Sequence, residues 1–242
     1  MSNYDRSHRV VEIVAITSHV ALSAVLVVRF AMAQPSALEV IAAAALLLPA
    51  MLGADFVSAV VHFAADRFGD TSTPIFGRNL IRSFREHHDD PKAMTHHDFV
   101  TIAGDTCLLS VPLLALMTWL VPASSTANRL FILFMVLFLS CVFMISQVHK
   151  WSHMDEKAPA LMLKLQRWGL LLDPVHHEKH HTAPHDSTYA TFTGWVNPFL
   201  DRAGFFPAFE ATARSIWNAP RPEDAPTTDA PDPAAPEQPV RP

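Results

Sequence analysis

The residues with the clearest chemistry in this chain are its histidines, 14 among 242 residues. Most fall in tight groups. His62 lies one helical turn before Asp66. His87 and His88 are adjacent, as are His96 and His97. His149 and His153 are four apart, within Gln147–Val148–His149–Lys150–Trp151–Ser152–His153. His176, His177, His180, His181 and His185 close the series, and His8 and His19 stand apart. Residues three and four apart share a helical face. His149 and His153 can therefore address one ion, and His177, His180 and His181 form another such face. Imidazole suits Fe, Zn, Cu and Ni, and sets from separate elements can enclose two ions. The expectation is a two-metal, histidine-lined centre.

Four apolar stretches would position these groups: about 10–30, 37–63, 101–121 and 130–148. A span needs roughly 20 apolar residues at 1.5 Å rise, and the third stretch needs its Thr101–Thr106 flank to reach that length. Half the residues are hydrophobic and 17% charged, greasier than an ordinary soluble domain. The N-terminus does not read as a cleaved signal peptide. Arg6 and Arg9 precede the first span. Arg67, Arg78, Arg82, Arg85 and Lys92 lie between the second and third, and Lys150, Lys157, Lys164, Arg167 and Lys179 follow the fourth. The other two connections lack Lys and Arg, so the positive-inside rule puts both termini and every histidine cluster in the cytoplasm.

The fold class read from this is an all-α integral membrane protein of four transmembrane helices with a histidine-rich cap. One membrane domain covers 1–218, and the proline-rich stretch 219–242 reads as disordered. Leu161–Leu172 is apolar but too short to cross, so it lies in the interface or caps the bundle. Cys107 and Cys141 fall in apolar segments and read as core residues. No basic stripe interleaved with aromatics is present, which argues against nucleic acid as a partner.

Asp55 is costly inside a span and must face the bundle interior, tying helices together or orienting a ligand ring. Asp66 shares a face with His62 and reads as a ligand, a group that orients one or a helix-end carboxylate, the second being favoured. His176 and His185 read as groups beside the ligands or facing substrate. One of His96 and His97 reads as a capping or solvent-facing residue, and His19 as a hydrogen-bonding group between helices. His177–Glu178–Lys179–His180–His181 also fits the H-E-x-x-H pattern of zinc proteases. That reading leaves His62, His87, His88, His149 and His153 without a role. A metal transporter would place its site near the bilayer midplane, whereas these histidines gather at helix ends.

The run Ile81–Arg82–Ser83–Phe84–Arg85–Glu86–His87–His88–Asp89–Asp90–Pro91, with Thr95, His97, Asp98 and Phe99, resembles the plasmanylethanolamine desaturase family, also called the CarF or Kua type. Gln147–His153, His176–His181, Ala183–Pro184–His185, Tyr189 and Thr193–Gly194–Trp195–Val196–Asn197–Pro198 are similar to its histidine boxes and following block. Ala54–Asp55–Phe56, Ser58, His62 and Asp66 fit its second-span motif. The resemblance covers roughly Gly53 to Phe206. A related plant plastid branch reads Gln-His in place of His176–His177 and lacks a histidine at His185, so this chain looks like the plasmanyl branch. Ile102–Ala103–Gly104, where the family tends to show Asn-Gly, and the proline-rich stretch depart from the pattern.

The resemblance implies a desaturase that converts 1-O-alkyl ethanolamine phospholipids into vinyl-ether plasmalogens. Removing hydrogen from unactivated carbons needs a redox metal, and zinc has no redox chemistry. Two iron ions and O2 are therefore implied. Electrons would come from a separate cytochrome b5-like or ferredoxin donor, because the chain shows no flavin or nicotinamide fingerprint. The expected ligands are His62, His87, His88, His97, His149, His153, His177, His180 and His181. Asp55, Asp66, His176 and His185 are expected beside them. Arg82 and Arg85 either hold the lipid phosphate or simply obey the charge rule. A related acyl-lipid desaturase or lipid hydroxylase shares the same logic, and a bacterial inner membrane is the expected location.

Overall fold

The computed structural model describes residues 6–74 and 81–217. Arg78 and the stretch 219–242 lie outside the described residues. All regular structure among the described residues is helical. Four helical segments are long and apolar enough to cross a membrane: Arg6–Met32, Ala37–Arg67, Phe99–Leu120 and Thr126–Ser152. Polar caps set the starts of three of them. Asp98 accepts from the Thr101 N–H to start the third segment, and Ser125 accepts from Asn128 to start the fourth, each satisfying one free backbone donor. Ser36 and Glu39 form a capping box at the start of the second.

The second segment is two helices, α2 (Ala37–Ala45) and α3 (Leu47–Arg67), with a turn residue at Leu46 between them. Pro49 explains the break, since it lacks the N–H that would bond the Ala45 carbonyl four residues back. Helix α1 (Arg6–Met32) packs on α5 (Phe99–Leu120), α5 on α6 (Thr126–Ser152), and α6 on α3. At one end Leu26, Leu114, Met117, Ile132, Val136 and Leu139 form the bundle core. There Arg129 pairs with Glu39, and Arg29 donates to the Thr118 and Val121 carbonyls at 2.7 and 2.8 Å, closing the C-terminus of α5. The outward faces stay apolar: Leu38, Leu109 and Trp119 are 74%, 75% and 81% exposed, as a lipid-facing surface requires. His19 meets Ser110 Oγ at 2.7 Å, a bond between α1 and α5. Cys107 and Cys141 are free and buried.

The opposite end carries the remaining elements. Helix α4 (Arg82–Asp89) covers α3. After α6 come α7 (Ala160–Arg167), α8 (Pro174–Glu178), α9 (Asn197–Arg202) and α10 (Phe205–Trp217). In the Leu161–Leu172 stretch, Leu161 and Trp168 are exposed while Gln166 and Leu172 are buried. A packed layer of Ala59, Phe63, Tyr189, Ala190 and Phe206 fastens the C-terminal elements to α3.

Candidate metal centre

Two groups of donors converge at this end of the bundle. His87, His149, His153, His177 and His181 form one. His62, Asp66, His88 and His180 form the other. Helix α4 supplies a neighbour to each, because consecutive helical residues point about 100° apart: His87 turns to the first group and His88 to the second. On α6 and its C-cap, His149 and His153 stay on one face and in one group. The expected single face of His177, His180 and His181 divides instead. Helix α8 ends at Glu178, so His177 and His181 join the first group while His180 crosses to the second.

The ring nitrogens are placed as metal donors. His149 Nε2 lies 3.0 Å from His87 Nε2 and 2.7 Å from His177 Nε2, which in turn lies 3.1 Å from His181 Nε2. Each such nitrogen has one in-plane site, holding either a proton or a lone pair. Three successive contacts along four of them therefore cannot all be hydrogen bonds. Lone pairs converging on one cation account for them, since nitrogen ligands about 2.1 Å from an ion stand roughly 3.0–3.4 Å apart. His153 Nε2 is buried with no hydrogen-bond partner. In the second group, Asp66 Oδ2 lies 3.3, 3.5 and 3.6 Å from Nε2 of His88, His180 and His62. Neither Asp66 oxygen nor His62 Nε2 has a hydrogen-bond partner. The groups share a wall, with the rings of His62 and His149 5.8 Å apart and those of His88 and His181 5.5 Å apart.

The outward nitrogens set the tautomers. His62 Nδ1 donates to the Tyr189 carbonyl at 3.1 Å and His180 Nδ1 to the Ser187 carbonyl at 2.8 Å, leaving each Nε2 lone pair turned inward. Burial, reinforced by neighbouring imidazoles, lowers the pKa of His87 to about 2 and of His181 to about 3. Burial lowers His153 to about 4. These rings are neutral bases at neutral pH and hold a metal without first losing a proton. The donor set fits two cations.

The lipid desaturase domain family matches residues 51–222 of the chain. The chain belongs to the lipid desaturase family. A plasmanylethanolamine desaturase of Myxococcus xanthus is 42% identical over 207 residues, 86% of this chain and 72% of that protein. Plasmanylethanolamine desaturase 1 of Mus musculus is 38% identical over 72% of this chain and 66% of its own length. The chloroplastic fatty acid desaturase 4-like 1 of Arabidopsis thaliana is 34% identical over 69% of this chain and 57% of that protein. The chain thus spans roughly 57–72% of these relatives' lengths. No solved structure gives a match. This lipid desaturase is a membrane oxidoreductase acting on a lipid, and the matched residues contain both donor groups.

Within this desaturase the donor groups differ from the expected ligand set at two positions. His97 belongs to neither group and is exposed. Its neighbour Asp98 caps α5 and pairs with Arg9, and the buried Lys150 holds the His97 carbonyl, which leaves the ring in solvent. Asp66, for which a ligand role stood behind that of orienting one, stands among the donors. The carboxylate of Asp55 is engaged by backbone and a threonine rather than by a histidine ring. Its carboxylate accepts from the backbone N–H groups of Phe192, Thr193, Gly194 and Val196 and from Thr193 Oγ1, at 2.6–3.3 Å. It thereby anchors the strand of chain that begins just after the Tyr189 carbonyl.

His176 Nε2 meets Asn197 Nδ2 at 3.1 Å and joins neither group. His185 Nδ1 donates to the His180 carbonyl at 2.8 Å, with its ring 4.7 Å from that of His88. Arg85 donates to the Gly69 carbonyl at 2.7 Å, and Arg82 lies exposed 3.7 Å from Glu86. Glu178 is exposed and outside both groups, so the H-E-x-x-H residues do not assemble a protease site. The backbone acceptors Tyr189 and Ser187 leave no signal in side-chain patterns.

Proposed function

We propose that this chain is a di-iron membrane desaturase that forms the vinyl-ether double bond of plasmalogens from 1-O-alkyl ethanolamine phospholipids. The observation that carries the reading is the pair of adjoining donor groups at one end of an apolar four-span bundle. The identity to two plasmanylethanolamine desaturases supports the substrate. One ion would be held by His87, His149, His153, His177 and His181, and the other by His62, Asp66, His88 and His180. Bound iron supplies the oxidising power toward O2 that no side chain has. Overall, two hydrogens leave adjacent carbons beside the ether oxygen, and O2, with these hydrogens, two electrons from a separate cytochrome b5-like or ferredoxin donor and two protons from water, would end as two water molecules.

The chain's residues do the holding. The Tyr189 and Ser187 carbonyls orient two ligand rings, and Asp55 fixes the segment that follows Tyr189. The centre lies in the cytoplasm in this reading, on the side that carries most Lys and Arg. A second reading, an acyl-lipid desaturase, is supported by the Arabidopsis relative.

Metal mass spectrometry on detergent-purified protein, with lipid analysis of cells expressing it and fed alkyl lipids, tests the reading. About two irons per chain and newly formed acid-labile vinyl ethers are expected. Iron with new double bonds only in acyl chains would replace the substrate assignment. A single zinc would overturn the di-iron reading.

A further inference from the structure

A third group of donors shares no residue with the histidine centre. His8 Nε2 on α1 lies 3.4 Å from Glu12 Oε1, one turn along, and 3.2 Å from Asp105 Oδ1 on α5. Glu12 is 1% exposed and its Oε2 is buried with no hydrogen-bond partner. A carboxylate oxygen taken from water without a donor is costly. Glu12 packs directly on Gly104, where a Cβ would lie 2.5 Å from Glu12 Cβ, so α1 and α5 approach closely at this point. Asp105, next in the chain, has a side chain 54% exposed, which opens the group to solvent. Arg9, next to His8 in the chain, is engaged with Asp98 and Thr101.

We propose that His8, Glu12 and Asp105 form a separate divalent-cation site that clamps the start of α1 to α5. One imidazole and two carboxylates suit Mn2+ or Fe2+. Two carboxylate charges match a divalent ion, and the donor separations are those of ligands about 2.1 Å from a shared ion, roughly 3.0–3.4 Å. The unpartnered Glu12 oxygen gains a partner in this arrangement. The site lies at the same end as the histidine centre, since Asp98 and the Lys150-held His97 connect the two regions.

The test titrates iron-loaded, full-length protein in detergent with Mn2+ at neutral pH and reads free Mn2+ by electron paramagnetic resonance. Wild type is expected to bind one Mn2+ per chain that Glu12→Gln and Asp105→Asn do not bind, with the iron content of both variants unchanged. Mn2+ should raise the melting temperature of wild type and not of Asp105→Asn. Asp105 is half exposed, so its variant keeps the test open even if Glu12→Gln fails to fold. Equal Mn2+ uptake by wild type and Asp105→Asn, or no uptake by either, overturns the site and leaves His8, Glu12 and Asp105 in contact with one another alone.

Discussion

His149 and His97 lie in the two halves of the histidine pattern, yet their surroundings assign them opposite fates. His149 Nε2 faces two other ring nitrogens inside 3.0 Å, while the His97 ring is exposed and only its carbonyl is engaged. His149→Ala should empty its ion and lower desaturation by more than about 100-fold, since even the outer partners of ligands are worth about 10–100-fold. His97→Ala should keep both ions and lose little activity. Metal content per chain checks both, and loss of metal in His97→Ala would return that ring to the ligand set. Asp66→Asn keeps the shape and removes the charge that faces His62, His88 and His180. The expected result is about one ion retained per chain, the one held by the five histidines.

Among the elements, the segment after Tyr189 depends on α3. Asp55 accepts five hydrogen bonds from it, and Ser58 Oγ accepts one more from the Thr191 N–H. These bonds hold a non-helical stretch against a spanning helix, where unsatisfied backbone groups are costly. Asp55→Ala should destabilise the protein by about 3 kcal/mol, because several buried donors lose their acceptor together. A thermal melt in detergent reads this. Metal affinity should fall in the same variant, through the Tyr189 carbonyl that orients His62. A melt and metal content both equal to wild type would mean that the segment holds itself.

For the molecule as a whole, the depressed histidines make the metal-free protein acid-sensitive. Burial lowers His153 from its ordinary 6.5 to about 4, and burial with neighbouring imidazoles lowers His181 to about 3. Above pH 6.5 these rings are neutral whether folded or unfolded, and they add no pH dependence. Below it the unfolded chain takes up protons that the folded chain refuses, so unfolding becomes easier as pH falls toward 4. Melting temperature of the chelator-treated protein should therefore drop between pH 6.5 and 4. Saturating metal should offset the drop near pH 6.5, because ions bind the folded state. A flat profile for the metal-free protein would show that these rings are solvated.

The sequence by itself determined the four spans, the gathering of histidines near their ends and the pairing of His149 with His153. Hydropathy and the i, i+4 rule act over a few neighbouring residues and need no partner. Several expected boundaries fell short of the helices, and at two of the starts the caps Asp98 and Ser125 place the helix ahead of the apolar run. Only the tertiary structure divided nine donors into two groups, exchanged His97 for Asp66 and turned Asp55 into an anchor for a distant loop. Those outcomes rest on contacts between residues far apart in sequence: 62 positions for His87 and His149, 127 for His62 and the Tyr189 carbonyl, 138 for Asp55 and Thr193. Which donors share an ion depends on how whole helices cross, and no local spacing encodes that crossing.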